Sequence, residues 1–522
     1  MNLAKALGSI GGLTLASRLL GLVRDSLFSR YLGASFASDA FLVAFRLPNM
    51  FRALFAEGAF SSAFIPLFNK KVADPDGQGL RDGIAFAEAA LAVLLPVLLV
   101  MTLLLEIFAW PVTLALSGKF NGISAAQFAF AVELSRWTIP YLLFISLVSL
   151  LGGILNSLHK FWVNAAAPIL LNLTLIAALL LFHSHEPLFT ARNQAIAVSV
   201  SGLLQLIWLA WACRANGVSL KLRRPRLTPE VRNLLKLIWP AAAGAGAVQI
   251  NLVISTALAA SLLAHGSVTY IYMADRLNQL PLGLIGIGLG TVLLPLISRQ
   301  LGAGEEAQAL ETQNRGMELA LLLTLPATTA LVLCGEPIAA ALFGYGRYTP
   351  QDVHFTAQAL AAFSVGLPSY ILVKVLTPGY YARHDTKTPV RYALISMAVN
   401  LVLNLALIVP LQHMGPPLAT AIASTVNVWM LYATLAKRGH FASDARLKRR
   451  AWRLALAALA MGGVLWAAQG WIMPYTHGTW WARIATLGVL VSTGMIVYAL
   501  ATFVLGAFTR EDIKLLLRRK AA

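Results

Sequence analysis

Residues 44–60 read AFRLPNMFRALFAEGAF, and the reading of this stretch decides the fold. Its flanks are apolar enough for a lipid bilayer, yet Arg46, Arg52 and Glu57 fall within about three helical turns of one another. On a soluble helix such charges are a solvated face. Inside hydrocarbon they demand a protein-lined or hydrated space.

The surrounding composition selects the membrane. Of 522 residues 58% are hydrophobic and only 12% charged, with a mean hydropathy of +0.71, whereas a soluble domain is roughly a quarter charged. Apolar runs such as AEAALAVLLPVLLVMTLLLEIFAW (87–110) and ARIATLGVLVSTGMIVYALATFVLGAF (482–508) are long enough to cross a bilayer as helices. Counting them predicts an all-α polytopic membrane protein of about 14 transmembrane helices. They fall near residues 6–33, 37–68, 83–110, 127–156, 162–183, 191–213, 232–263, 268–298, 314–341, 354–382, 389–411, 416–437, 451–473 and 481–508. No stretch is left for a separate soluble domain.

The formal charge of +19 could point to nucleic acid, but sorting the cations by loop points to orientation instead. About 29 of them fall on the side of the termini and about 6 on the other. The densest clusters are CRANGVSLKLRRPRLTPEVRNLLK (213–236), KRGHFASDARLKRRAWR (437–453) and the tail REDIKLLLRRKAA (510–522). The even span count and the positive-inside rule predict cytoplasmic termini, with no nucleic-acid partner. Cys213 and Cys334 stand far apart and offer neither a disulfide framework nor metal-ligand spacing. The N-terminal apolar stretch contains Arg18 and shows no small-residue cleavage site, so it is expected to remain as the first helix.

The chain also repeats itself. FRLPNMFRALFAEGAFSSAFIPLF (45–68) aligns with DRLNQLPLGLIGIGLGTVLLPLIS (275–298), matching Arg46 with Arg276 and Gly58 with Gly288, and NLTLI (172–176) aligns with NLALI (404–408). Both pairs are offset by roughly 230 residues, the mark of a duplicated unit. Six helices per copy give two parallel pseudo-symmetric lobes, at 1–213 and 232–440, with two additional helices and a basic tail at 441–522. Between the lobes, Thr228-Pro229-Glu230 is a helix-start signal, and the basic linker 214–231 is expected to hold a short amphipathic surface helix.

The predicted spans contain Arg18, Arg24, Asp25, Asp39, Arg46, Arg52, Glu57, Asp275, Arg276 and Lys374. Each cation at mid-membrane costs about 2.5–3.5 kcal/mol. Six facing lipid would cost on the order of 15–20 kcal/mol, more than the roughly 5–15 kcal/mol stability of a typical protein. Two readings stay open for several of them. Arg24 and Asp25 lie about 27 Å along the first helix and could snorkel to the outer interface. Asp39 could be interfacial, and Asp275 could simply pair with Arg276. Pro48, Pro281, GLIGIGLG (283–290) and WPAAAGAGAVQIN (239–251) add backbone breakers and small residues, which fit either close helix packing or a cavity. Taken with the arginines, the cavity is the better account, and guanidinium groups suit a phosphate-bearing substrate. There is no GK[ST] phosphate loop, no HExxH and no catalytic triad, so a transporter without cofactor is expected rather than an enzyme.

SRLLGLVRDSLFSRYLGAS (17–35), SDAFLVAFRLPNMFRALFAEGAFSSAFIPLF (38–68) and GSVTYIYMADRLNQLPLGLIGIGLGTVLLP (266–295) strongly resemble the MurJ family of bacterial lipid II flippases, in the multidrug/oligosaccharidyl-lipid/polysaccharide exporter superfamily. The resemblance runs the full length. It implies a monomer of the inner membrane that moves lipid II, an undecaprenyl-pyrophosphate-linked disaccharide pentapeptide, from the cytoplasmic to the periplasmic leaflet by alternating access. It also implies that Arg18, Arg24, Arg52 and Arg276 match the family's cavity arginines and Asp25, Asp39 and Glu57 its cavity acids, with Arg46 a further candidate from its position. Arg52 would hold the pyrophosphate and Glu57 would orient or release it. Two departures stand out. Gln279 replaces a carboxylate that relatives can carry, and the positions matching a sodium site are Ser255, Asn400, Asn404 and Thr420, with no acid. Sodium coupling is therefore not expected, and membrane potential is the alternative drive. The rivals are a drug or metabolite antiporter, another polyprenyl-linked oligosaccharide exporter, an anion channel or scaffold, and a membrane enzyme acting on polyprenyl phosphate.

Overall fold

A computed structural model describes residues 3–55, 59–74, 78–472 and 478–507; Glu57 and the basic tail at 510–522 lie outside the described residues. All the regular structure described is helical. In chain order the helices are α1 (Leu3–Leu32), α2 (Phe36–Phe55), α3 (Ala59–Val72), α4 (Leu80–Ile107), α5 (Ala109–Ser117), α6 (Ala125–Thr138), α7 (Tyr141–Ser157), α8 (Phe161–Leu181), α9 (Pro187–Ala215) and α10 (Pro229–Leu262). They continue as α11 (Ser267–Gly302), α12 (Glu306–Leu333), α13 (Gly335–Phe343), α14 (Pro350–Ser364), α15 (Leu367–Tyr381), α16 (Lys387–Leu411), α17 (Gly415–Lys437), α18 (Ala445–Ile472) and α19 (Trp480–Val504).

Among the described residues 11 segments are long and apolar enough to cross a membrane, a number consistent with the 14 expected. Lys387–Lys437 holds both α16 and α17, joined by a single 3-10 turn. In α10 the apolar segment is shorter, Gln249–Leu262. Along α1, Arg18, Arg24, Asp25 and Arg30 interrupt the apolar run.

Proline breaks several spans that the apolar runs present as continuous. A proline ring clashes with the carbonyl four residues back and supplies no N–H. Pro111 and Pro337 each stand four residues beyond a helix end, Ile107 of α4 and Leu333 of α12, and a short helix continues each span as α5 and α13. The following span is broken in the same way, into α6 and α7 and into α14 and α15. Each begins with a reciprocal capping box, Ser124 with Gln127 and Thr349 with Asp352. The same breaks recurring about 226 residues apart are the structural form of the sequence repeat.

The linker carries no helix of its own. Residues 218–228 are irregular, and the Thr228 hydroxyl accepts from the Val231 N–H at 3.3 Å, so the start signal opens α10 directly and the expected surface helix is absent. What holds the linker is Glu88 of α4, buried at 3% exposure, which accepts from the Lys221 N–H (2.9 Å) and Arg223 Nε (2.6 Å).

By packing, the chain divides into Met1–Thr269 with Gly346–Tyr348, and Tyr270–Tyr345 with Thr349–Ala522, a division that cuts after α10 rather than before it. Gly346–Tyr348 sort with the first unit because the Arg347 N–H donates to the Arg30 carbonyl at 3.0 Å. The first unit is built around α7, whose Tyr141, Leu142, Leu150, Ile154 and Leu155 are fully buried. Phe60, Phe64 and Phe68 of α3 stack along it, and Gly153 admits the Phe64 ring, which a Cβ would approach to 2.9 Å. In the second unit Ile285, Leu289 and Leu293 of α11 pack with Ile371 and Val375 of α15, Met317 and Ala320 of α12, and Leu431 and Leu435 of α17. Outside these cores the surface is apolar, with Leu103, Ile107, Val402, Val409 and Leu500 exposed. Trp162, Trp452, Trp471 and Trp481 stand exposed near helix ends, the positions of an interfacial aromatic belt.

At the loop after α15, Asp385 accepts from Thr388 Oγ1 (2.6 Å), the Thr388 N–H (3.0 Å) and Arg438 Nη1 (2.7 Å), and these bonds, Thr388 Oγ1 first, lower its pKa to about 2. Of the two additional helices, α18 is fastened to α12 by charge, and α19 by the Tyr498 hydroxyl, which donates to the Leu322 carbonyl at 3.0 Å. Glu318, 7% exposed, meets Arg315, Arg450 (3.3 Å) and Arg446 (3.5 Å). Removing this carboxylate takes a buried negative charge from among three guanidinium groups, so Glu318→Ala is expected to cost about 3 kcal/mol. Arg192→Ala, which breaks the more exposed Arg192–Glu133 pair, should cost under about 1 kcal/mol. Thermal midpoints of the detergent-purified proteins compare the two.

Candidate functional site

Each charged side chain inside a span is embedded differently. Arg18 is exposed on α1. Arg24 and Asp25, two turns further on, are 8% and 3% exposed, so neither snorkels to an interface. Both Arg24 Nε (3.0 Å) and Nη2 (2.6 Å) donate to Asp25 Oδ1, while Nη1 donates to Asn172 Oδ1 at 3.1 Å. Asn172 of α8 in turn donates to the Ser17 carbonyl at 2.9 Å, so α1 and α8 are pinned through one amide. A buried pair with its remaining hydrogen bonds satisfied is a stiff element, and removing one partner leaves the other uncompensated.

Asp39 is also buried rather than interfacial, at 2% exposure. Its carboxylate accepts from the Gly266 N–H (2.7 Å), the Thr269 N–H (2.9 Å) and Thr269 Oγ1 (2.7 Å). It thus receives the free N–H groups at the start of α11, where a carboxylate is favoured. Arg46, half-buried on α2, donates through Nη2 (2.8 Å) and Nε (3.1 Å) to Thr256 Oγ1 of α10. Arg52, one helical face further on, donates through Nη2 (3.0 Å) and Nε (3.2 Å) to Asn49 Oδ1. These are neutral oxygens, which orient a guanidinium.

In the second unit Arg276 of α11 donates to Tyr272 Oη at 2.9 Å and lies 4.7 Å from the centre of the same ring, a cation–π contact. Gln279 reaches both ways, donating to Asp275 Oδ2 at 2.5 Å and accepting from Arg276 Nη1 at 3.5 Å, so this amide bridges the charged pair. Of the residues matching a sodium site, Ser255 stands on α10 in the first unit. Asn400 and Asn404 of α16 and Thr420 of α17 belong to the second, where Asn400 Nδ2 donates to Thr420 Oγ1 at 3.1 Å. Among the described residues no cluster of three His, Cys, Asp or Glu side chains could hold a metal ion.

Several partners in these arrangements escaped the reading of the sequence: Asn49, Asn172, Thr256 and Tyr272. Asn172 had a visible signal. It opens the NLTLI half of the repeat, and its counterpart Asn404 in NLALI is likewise buried, so the motif preserves an amide inside each unit.

Segments able to cross a membrane, proline-broken spans repeated in two halves and guanidinium groups set at span depth define a polytopic transporter rather than an enzyme. A solved structure described as "Lipid II flippase MurJ, inward closed conformation" shares the fold at a TM-score of 0.77 and 24% identity, covering 94% of this chain and 97% of that one. An inward-facing multidrug resistance MATE family transporter of the MOP superfamily matches at 0.64 and 16% identity, over 81% of this chain and 94% of that one. The MurJ family model, described as lipid II flippase MurJ, matches residues 28–486. A probable lipid II flippase MurJ of Rhizobium tropici is 39% identical across 100% of this chain and 97% of its own length, and the lipid II flippase MurJ of Burkholderia cenocepacia is 36% identical over 90% of each. The chain belongs to the MurJ family.

The Arg24–Asp25 geometry separates a structural role from a substrate role. Arg24→Ala should destabilise by about 3–5 kcal/mol, and adding Asp25→Ala should restore part of that loss. If the double variant regains its thermal midpoint yet still fails to support growth, Arg24 acts on substrate as well as on packing.

Proposed function

We propose that this chain is a lipid II flippase, carrying the undecaprenyl-pyrophosphate-linked peptidoglycan precursor from the cytoplasmic to the periplasmic leaflet of the bacterial inner membrane. The observation that carries this reading is full-length similarity to relatives named for that activity, together with the intramembrane arginines that such a headgroup requires. The protein acts as a monomer with both termini in the cytoplasm, the side that the loop cations favour.

In this reading the functional lobes follow the sequence repeat, 1–213 and 232–440, with 441–522 lining a groove for the polyprenyl tail. Arg18, exposed, and Arg52, half-buried, contact the pyrophosphate in the first lobe, and Arg276 does so in the second. Arg46 adds positive potential. Arg24 with Asp25 sets the conformation of α1, Asp39 holds the start of α11, and Glu57 orients or releases the Arg52 contact. Planar guanidinium groups grip phosphate oxygens bidentately and keep their charge at any physiological pH. Alternating access through this arginine-rich path moves the headgroup.

Transport is driven by voltage rather than by sodium in this proposal. Ser255, Asn400, Asn404 and Thr420 offer neutral oxygens, a weak sodium ligand set. An anionic headgroup leaving an inside-negative cell moves downhill by about 2.3 kcal/mol per charge per 100 mV. In vesicles, collapsing the potential should slow flipping, and an unchanged rate removes the voltage component.

The main test is genetic. After depletion, complementation with Arg18→Ala, Arg52→Ala or Arg276→Ala should lower the lipid II accessible at the outer leaflet by about tenfold or more, since a lost charge-assisted hydrogen bond is worth about 1.5–3 kcal/mol. Normal exposure with all three variants overturns the assignment in favour of a scaffold or channel.

A further inference from the structure

We propose that Lys374 is an additional anion contact on the transport path, receiving the pyrophosphate in the second unit; this rests on the lipid II reading above. Among the described residues Lys374 makes no hydrogen bond, ion pair or cation–π contact, whereas Arg24, Arg46, Arg52 and Arg276 all have partners. It is exposed, midway along α15, while its neighbours Ile371, Val375 and Leu376 are fully buried.

The stem of this lysine has a built seat. A Cβ added at Gly286 of α11 would come within 2.9 Å of Lys374 Cδ and 3.1 Å of Cε, so the aliphatic chain lies directly on the glycine. Gly286 stands near the middle of the 36-residue α11, ten residues beyond Arg276 on the same helix. The stem is therefore held inside the candidate span Pro350–Tyr381, against the helix that carries Arg276.

Two alternatives fail on geometry and energy. A lysine snorkelling to the loop after α15 would lean toward the C-terminus of its helix. Helical side chains instead lean toward the N-terminus, away from that loop, and contact with mid-α11 is what this direction produces. A lysine facing lipid at this depth would be an uncompensated charge in hydrocarbon, which membrane proteins avoid by turning such groups to protein or to a hydrated path. An ammonium turned to a hydrated path suits an anion, and lysine serves phosphate as a compact point charge.

The test measures binding of two probes, undecaprenyl pyrophosphate and the uncharged polyprenol, to full-length protein in lipid nanodiscs. Lys374→Gln should weaken pyrophosphate binding by about tenfold and leave the polyprenol unchanged, while Lys374→Arg should stay within about twofold of wild type. Gly286→Val, which evicts the stem but keeps the charge, should reproduce the loss in weaker form. Wild-type pyrophosphate affinity in Lys374→Gln, or equal loss of both probes, overturns the proposal while leaving the lipid II reading standing. If the wild type itself does not prefer the pyrophosphate lipid, both readings fall together.

Discussion

Everything in this fold answers to the price of holding a cation inside hydrocarbon. Each described case is met by its own set of partners. Arg24 is matched by Asp25 and Asn172, Arg46 by Thr256, Arg52 by Asn49, and Arg276 by Tyr272 and Gln279. Thr256, Asn49, Tyr272 and Gln279 contribute neutral oxygens, which fix a guanidinium in direction. The Arg24–Asp25 pair brings a carboxylate into direct contact with a deeply buried guanidinium.

The second constraint is the backbone. Non-ideal helix at membrane depth is tolerated only where protein or water can satisfy the freed groups. Proline places those breaks at the same points in both halves, after α4 and α12, and again before α7 and near α15. Short helices and reciprocal caps at Ser124 and Thr349 then absorb the exposed N–H and carbonyl groups. Broken spans rather than straight rods are what a transporter needs, because a discontinuous helix presents polar backbone and side chains away from lipid. The glycines complete this logic at close contacts: Gly153 beside Phe64, Gly202 beside Tyr141 and Gly286 beneath Lys374.

Membership of the MurJ family ties these physical features to one chemistry. The features that distinguish this chain lie in substitutions whose effect is visible locally. Gln279 keeps the Asp275–Arg276 neighbourhood connected with an amide, which can donate to one and accept from the other as a carboxylate cannot. Asn400 and Thr420 bond to each other, so their oxygens and amide already serve a helix–helix contact between α16 and α17.

Hydrophobic run length by itself determined that the chain is an all-helical membrane protein, because twenty apolar residues without a charge have no other stable home. It also determined the duplication, through NLTLI and NLALI and through the matched Arg46 and Arg276, and it marked which charges had to be sheltered. One helix start was legible where a capping residue stood beside proline, at Thr228, although it proved to open α10 and not a separate helix. What only the tertiary structure decided was the distant partners of these charges. Asp39 finds Gly266 and Thr269, Arg24 finds Asn172, and Lys374 finds Gly286, each across a distance in sequence that carries no local signal. Such pairings follow from how helices cross, and crossing is set by the summed shape of many apolar side chains that are interchangeable in composition but not in place.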